Sequence, residues 1–133
     1  MQISKIFTLE AAHRLPDDKI YGDCSRLHGH SYKIEIGVSG PVSDEGWIIN
    51  FKEISDIFRE KIKSCCDHQN LNEVFPDMII TAEMLALRWG EILREAIQKK
   101  FGHLGVDLAF LEIHETETSR VRLELRDLLD LRR

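Results

Sequence analysis

The 133-residue sequence predicts an α+β domain in which two helices pack on one face of an antiparallel, four-stranded sheet. Three observations support this fold class. Residues 28–38 alternate between apolar and polar side chains, two later segments repeat apolar residues at intervals of three and four, and residues 119–126 alternate again. We expect residues 1–133 to form a single domain, because a chain of this length supports one core only.

The predicted strands follow from the alternating segments and from the residues that interrupt them. Pro16 and Gly22 break any period between residues 11 and 27, and Gly40-Pro41 ends the long strand. Asp44-Glu45-Gly46 is typical of a hairpin turn. Strands are therefore expected at residues 3–10, 28–38, 47–49, 107–115 and 119–126.

Two helices are predicted between these strands. The first covers about residues 51–66, with Asn50 as its N-cap and Glu53 in the capping-box position. The second begins after Thr81 and ends at Gly102. The tail, residues 127–133, is expected to extend a strand or to fray. An antiparallel sheet of this size has open edges, which often pair with another subunit, so we expect an oligomer.

Composition argues against several classes of function. The net charge is −5 and Lys and Arg are not clustered, so a nucleic-acid surface is not expected. The apolar runs are too short to span a membrane, and the N-terminus alternates instead of forming a signal peptide, which indicates a cytoplasmic protein. Two of the three cysteines, Cys65 and Cys66, are adjacent, which favours reduced thiols over a disulfide framework; both are predicted to lie in the core.

Three histidines are candidates for a metal site. His28 and His30 project from the same face of a predicted strand, about 7 Å apart at the backbone. His13 lies just beyond the first strand, whose end can sit beside the start of the second. Three neutral imidazoles with an open fourth position are typical of catalytic zinc. The alternative is a chance pair with a surface His13, but His30 shares an apolar face with Tyr32 and Ile34, where an unpartnered imidazole costs free energy.

Four further residues have two interpretations each. Cys24 is either the fourth ligand of a closed zinc site or a thiolate base that stands off the metal, activated by zinc and by cations such as Arg26. Asp67-His68 is either a polar helix end or an acid–base pair. Glu115 is either a solvated strand end or an anchor for a cationic or amide-like edge of a ligand. The local pattern favours the helix end and the strand end.

Several segments together resemble a known family. The most specific is Cys24-Ser25-Arg26-Leu27-His28-Gly29-His30, downstream of Ala11-Ala12-His13. The other matching segments are residues 7–15, 46–51, 67–72, 81–83 and 115–116. In order and spacing, from about residue 3 to residue 123, they resemble the 6-pyruvoyl-tetrahydropterin synthase and 6-carboxy-tetrahydropterin synthase family. One departure is Ile80, where many relatives have proline.

The resemblance implies an assembly and a set of residue roles. It implies the tunnelling fold, in which subunits join their sheets into a barrel, typically a homo-hexamer of two stacked trimers with active sites at subunit boundaries. The implied roles are zinc ligands for His13, His28 and His30, catalytic base for Cys24, a catalytic pair contributed across the interface for Asp67 and His68, pterin anchor for Glu115, and a second acidic group near the pterin for Glu83.

The resemblance also implies a zinc-dependent reaction on a small pterin substrate, dihydroneopterin triphosphate. Zinc acts as a Lewis acid, Cys24 and His68 move protons, and triphosphate is eliminated. The compact length and the segments 24–30 and 46–51 favour 6-carboxy-tetrahydropterin synthase, which releases acetaldehyde and serves the biosynthesis of queuosine, a modified tRNA nucleoside. The alternatives are the pyruvoyl-forming enzyme and a non-catalytic zinc module with one cysteine and three histidine ligands. For the triphosphate, Arg26 and Lys19 are only weak candidates.

Overall fold

The computed structural model describes residues 1–132, and its alternating segments form one mixed sheet. The strands are β1 Gln2–His13, β2 His28–Ser39, β3 Gln69–Asn70, β4 Asp107–His114 and β5 Arg120–Glu124. In the sheet they take the order β3-β1-β2-β4-β5. The predicted antiparallel pairing holds for β1, β2, β4 and β5, whereas β3 adds a short parallel edge beside β1. The predicted four-stranded sheet therefore gains a fifth strand, which is too short to show a period in sequence.

The two predicted helices are confirmed. The first consists of α1 Phe51–Phe58, a π-helical turn Arg59–Lys63, and α2 Ser64–Cys66. After the short α3 Leu71–Val74, the long α4 Ala82–Phe101 follows. Asn50 and Thr81 cap α1 and α4 as predicted, each accepting a backbone N–H with its side chain. The capping box is not formed at α1, because the Glu53 carboxylate binds Lys100 instead.

The structure corrects three further expectations. Residues 47–49 form no strand, because Ser43 and Trp47 close a tight turn (N–H to carbonyl oxygen, 2.8 Å) and Ile48 and Ile49 both turn into the core. The tail forms a helix, α5 Leu125–Asp130, with a capping box at its start; Arg133 lies outside the described residues. Cys66 is buried but Cys65 is exposed, since adjacent helix positions point about 100° apart.

The helices cover one face of the sheet and position the site at its end. Tyr32, Ile34 and Ile36 of β2 are buried against side chains of α1 and α4. His28 and His30 leave the same face of the strand, nearer its start. The opposite face carries hydrogen-bonded polar pairs such as Ser31 with Glu10. None of the helices within residues 1–132 is both long and apolar enough to cross a membrane.

Candidate metal centre and active site

β1 and β2 bring the three predicted histidines to one end of the sheet. The antiparallel register places His13 opposite His28 and Ala11 opposite His30, so the three imidazoles leave one face. Their ring centroids are 4.6 Å (His13 to His28), 4.9 Å (His28 to His30) and 5.0 Å (His13 to His30) apart. One ring nitrogen from each lies within 4.8 Å of the others. Across residues 1–132, no other set of three or more histidine, cysteine or carboxylate side chains has this geometry.

Backbone carbonyls orient two of the rings. His13 Nδ1 donates to the Ile80 carbonyl oxygen at 2.6 Å, and His28 Nδ1 donates to the Arg26 carbonyl oxygen at 2.7 Å. Each bond places the ring hydrogen on Nδ1 and leaves the lone pair on Nε2. The two rings therefore present a nitrogen that can bind a metal.

Two of the histidine nitrogens are buried without a hydrogen-bond partner among the described residues, which is unfavourable unless they bind a metal ion. Burial lowers the pKa of His13 and of His30, because desolvation disfavours the charged imidazolium. Nε2 of each ring is buried and has no hydrogen-bond partner within the described chain. Such an orphaned group costs about 1–3 kcal/mol. Zinc binds imidazole nitrogens, so the clustered nitrogens of His13, His28 and His30 can hold this ion.

A cavity of about 220 Å³ opens beside the histidines. Five of the predicted site residues line it: His13, His28, Cys24, Glu83 and Glu115. Cys24 is exposed on a single 3-10 turn, Gly22–Ser25, which is fixed to the preceding loop by the Leu15 N–H bond to the Cys24 carbonyl at 2.8 Å. Its sulfur is not part of the cluster of histidine nitrogens. This arrangement favours an open site with a separate thiol over a closed site with four protein ligands.

Glu115 is placed at the cavity by the turn between β4 and β5. Its N–H donates to the Ser119 carbonyl at 3.0 Å, and the half-buried carboxylate lies 3.8 Å from His30 Nε2. The negative charge opposes the effect of burial on the pKa of His30. Glu83, in the first turn of α4, is exposed on the wall of the same cavity. Two carboxylates therefore face the space beside the histidines.

Asp67 and His68 form the predicted pair but do not line this cavity. His68 Nδ1 lies 3.0 Å from Asp67 Oδ2, and Asp67 Oδ1 accepts the Glu10 backbone N–H at 3.1 Å. That backbone bond, followed by the bond with His68, holds the pKa of Asp67 below its usual value. The His68 side chain is 76% exposed, in an open groove that also reaches His30. Within one chain, the pair and Cys24 are thus not brought together.

Sequence reasoning missed three contributions to the site. The carbonyls of Ile80 and Arg26 orient ligand rings, and a backbone group leaves no signal in sequence. Arg120 is the single Lys or Arg among the described residues that line the cavity, whereas the weak candidates Arg26 and Lys19 do not line it. The strand register places Arg120 opposite His114, the residue before Glu115, and so brings the start of β5 to the edge of the cavity.

The fold and the site define an α+β protein with a histidine cluster that fits a metal ion, next to a cavity with a free thiol and two carboxylates. The family model described as 6-pyruvoyl tetrahydropterin synthase matches residues 2–126. The chain belongs to this family, which confirms the resemblance seen in its motifs.

Individual relatives carry two product names. A 6-carboxy-5,6,7,8-tetrahydropterin synthase of Synechocystis sp. is 32% identical over 126 residues, covering 90% of each chain. A 6-pyruvoyl tetrahydrobiopterin synthase of Poecilia reticulata is 27% identical over 133 residues, covering 90% of this chain and 86% of that one. The enzyme of the same name from Dictyostelium discoideum is 34% identical over 89 residues, 58% of this chain and 66% of that one.

A solved structure confirms the predicted fold class. The 6-pyruvoyl tetrahydropterin synthase of Caenorhabditis elegans superposes with a TM-score of 0.80 at 22% identity. The superposition covers 93% of this chain and 94% of the other. Because the superposition extends over nearly the whole of both chains, the two proteins share one fold.

Proposed function

We propose that the chain is a zinc-dependent lyase that converts 7,8-dihydroneopterin triphosphate to 6-carboxy-5,6,7,8-tetrahydropterin, with release of acetaldehyde and triphosphate, in queuosine biosynthesis. The observation that carries the proposal is the cavity in which the histidine cluster, the Cys24 thiol and the Glu115 carboxylate meet. Family membership supports pterin chemistry. The 6-carboxy branch is supported by the Synechocystis relative, which matches 90% of both chains.

The chain's own residues take separate roles at this cavity. Zinc, when held by His13, His28 and His30, supplies a Lewis acid. Cys24, as its thiolate, acts as the base, because the residue lies on the cavity wall and its sulfur is outside the cluster of ligand nitrogens. Glu115 holds the guanidine-like edge of the pterin through paired charge-assisted hydrogen bonds, with Glu83 as a second acidic contact.

Asp67 and His68 act as the second acid–base pair, and we assign them to the active site of a neighbouring copy in a homo-hexamer. Two observations support this assignment. The pair is formed and oriented by Glu10, yet the imidazole is largely exposed and does not line its own chain's thiol cavity. In addition, the sheet is open, because β5 pairs with β4 alone within the described residues.

Arg120 is the candidate contact for the phosphate chain. The cavity otherwise presents acidic groups, so a polyanionic substrate needs a cation there. The Arg120 guanidinium lies 3.6 Å from Glu112, beyond hydrogen-bond distance, while Arg122 and His114 bind that carboxylate at 3.1 and 2.8 Å. Arg120 is 65% exposed, so a phosphate group can replace its ion pair with Glu112 by binding the guanidinium in a bidentate manner.

The runner-up is the pyruvoyl-forming reaction, which the Poecilia and Dictyostelium relatives favour by name. Product analysis separates the two. Zinc-loaded protein is incubated with dihydroneopterin triphosphate, and the products are identified by mass spectrometry. A carboxy-tetrahydropterin with acetaldehyde supports the proposal, and a pyruvoyl product replaces it with the runner-up. Absence of turnover by intact, zinc-loaded protein would leave the non-catalytic zinc module as the better account. A Cys24→Ala variant tests the base role and should lose turnover, and Cys65→Ser, which alters a thiol outside the cavity, is its matched control.

A further inference from the structure

Outside the cavity, the described chain places two thiols side by side at the end of α2. Cys65 is exposed, Cys66 is buried, and their sulfur atoms lie 3.5 Å apart. The pair directly precedes Asp67 and His68 and follows the π-helical turn Arg59–Lys63. The proposed reaction uses neither thiol.

The spacing of the two sulfurs disfavours a disulfide and suits a single atom that is bonded to both sulfurs. A disulfide needs sulfurs about 2.05 Å apart and Cα atoms usually at least about 4.4 Å apart. Adjacent residues on a trans peptide have Cα atoms only about 3.8 Å apart, so oxidation of this pair is strained. A single atom can instead bond to both sulfurs at about 2.3 Å. If the sulfur–atom–sulfur angle lies between a right angle and a tetrahedral angle, the two sulfurs are about 3.3–3.8 Å apart. The observed 3.5 Å falls in that interval.

The number of donors near Cys65 and Cys66 limits which atom can bind both sulfurs. Structural zinc requires four protein ligands. Among residues 1–132, the histidine cluster is the single group of three or more potential metal ligands, so Cys65 and Cys66 have no third donor beside them. A suitable partner therefore makes two bonds to sulfur and brings its own remaining substituent. A monosubstituted trivalent arsenical meets both conditions.

We propose that Cys65 and Cys66 form a vicinal dithiol site for monosubstituted trivalent arsenicals, separate from the histidine site. The reaction is a condensation: R–As(OH)₂ and two thiols give R–As(S–Cys)₂ and two molecules of water. Two As–O and two S–H bonds break, two As–S bonds form, and the thiol protons leave in the water. Arsenic stays trivalent and no oxidant is needed.

The order of bond formation follows from exposure. Arsenic reaches the exposed Cys65 first, and the second bond closes onto a sulfur 3.5 Å away. Because that second step is intramolecular, the adduct is held more tightly than a single thiolate bond by about 100-fold or more. Cys66 becomes accessible through opening of the helix end, since α2 ends at this residue and terminal turns open more readily than helix centres.

The test is a titration of the zinc-loaded protein with phenylarsine oxide, followed by intact-protein mass spectrometry. We expect one adduct that survives excess glutathione and is removed by the dithiol 2,3-dimercaptopropanol. Cys65→Ser changes an exposed side chain, so its fold is preserved, and it should weaken binding about 100-fold and make the remaining adduct glutathione-sensitive. Cys24→Ser is the matched control and should retain the resistant adduct.

Three results would overturn the proposal: a wild-type adduct that glutathione removes, a Cys65→Ser protein that binds as tightly as wild type, or loss of the resistant adduct in Cys24→Ser. Circular dichroism of each variant verifies the fold. The mass measurement requires no pterin turnover, so the test of the dithiol site is independent of the proposed reaction.

Discussion

Removing the His28 imidazole should weaken zinc binding about 100- to 1,000-fold while leaving the apo fold nearly intact. His28 lies at the first position of β2, is half-buried, and makes one side-chain hydrogen bond, to the Arg26 carbonyl. Its loss should cost the apo protein about 1 kcal/mol. His13 is a poorer choice for this experiment, because it is 2% exposed and its replacement by alanine also leaves a cavity and an unpaired Ile80 carbonyl.

The expected size of the zinc effect can be worked out from the ligand count. Structural zinc sites with four ligands bind with about 10–16 kcal/mol, or about 3 kcal/mol per ligand, so losing one of the three histidines weakens affinity about 100- to 1,000-fold. At free zinc 1,000-fold above the wild-type dissociation constant, zinc stabilises the wild type by about 4 kcal/mol. The same concentration stabilises His28→Ala by about 0.4–1.4 kcal/mol. For a chain of this size, the wild-type Tm should rise by about 10–20 °C and that of the variant by a few degrees.

Differential scanning calorimetry with zinc and with a chelator measures these shifts. His103→Ala is the matched control, because it removes an exposed histidine from the turn Gly102–Leu104 and should keep the full zinc shift. A His28→Ala protein with the wild-type zinc shift would refute the assignment of His28 as a ligand. A metal-free His28→Ala protein with full turnover would refute the role of zinc in the reaction.

Four other outcomes are expected. Cys24→Ala should keep the zinc-induced Tm shift and lower kcat by about 10²–10⁴-fold, and loss of the shift would instead make Cys24 a ligand. Arg120→Ala should raise KM for the triphosphate substrate about tenfold without changing the affinity for dihydroneopterin. Arg126→Ala, which alters another exposed arginine, is the control. Equal effects of Arg120→Ala on both ligands would contradict the phosphate role. Glu112→Gln should destabilise the fold by about 1–3 kcal/mol at pH 7 in urea denaturation. Burial alone would raise the pKa of Glu112, but its hydrogen bonds and neighbouring cations hold this pKa below its usual value. The stability difference from wild type should therefore shrink as pH falls below the ordinary glutamate pKa of about 4.3, and vanish below the lowered pKa. A pH-independent difference would argue against this charge effect. Finally, mixing Cys24→Ala with His68→Ala subunits should restore activity through hybrid sites, and persistent inactivity after verified subunit exchange would place both groups in one chain's site.

The histidine cluster was predictable from sequence because it depends on strand parity. His28 and His30 are two apart on β2 and share the face of the buried Tyr32, and the alternation alone placed them there. His13 required one more step, the assumption that the end of β1 meets the start of β2, which the register confirms. The long helices were also predictable, because the spacing of their apolar residues indicates which side chains face the core.

The parts that sequence could not predict depend on the backbone or on pairing between distant residues. β3 has two residues and pairs through main-chain atoms, so it leaves no pattern. The Ile80 carbonyl that orients His13 is 67 residues away in the chain. Arg120 alternates like any exposed strand residue, and its place at the cavity appears only when the β4–β5 register is known.

The position of His68 links the chemistry to assembly. Its backbone φ is +58°, a conformation that non-glycine residues adopt at a cost, and Asp67 and Glu10 hold it there while leaving the imidazole exposed. A residue maintained in such a conformation without shielding by its own chain is best explained by a partner surface that covers it. The nearby β1 edge has a strand on one side only over residues 2–9 of the described sheet, and a joined neighbour would cover edge and imidazole together. The proposed hexamer and the proposed acid–base role therefore depend on each other: a monomer would leave the His68 pair without the thiol with which it is proposed to act.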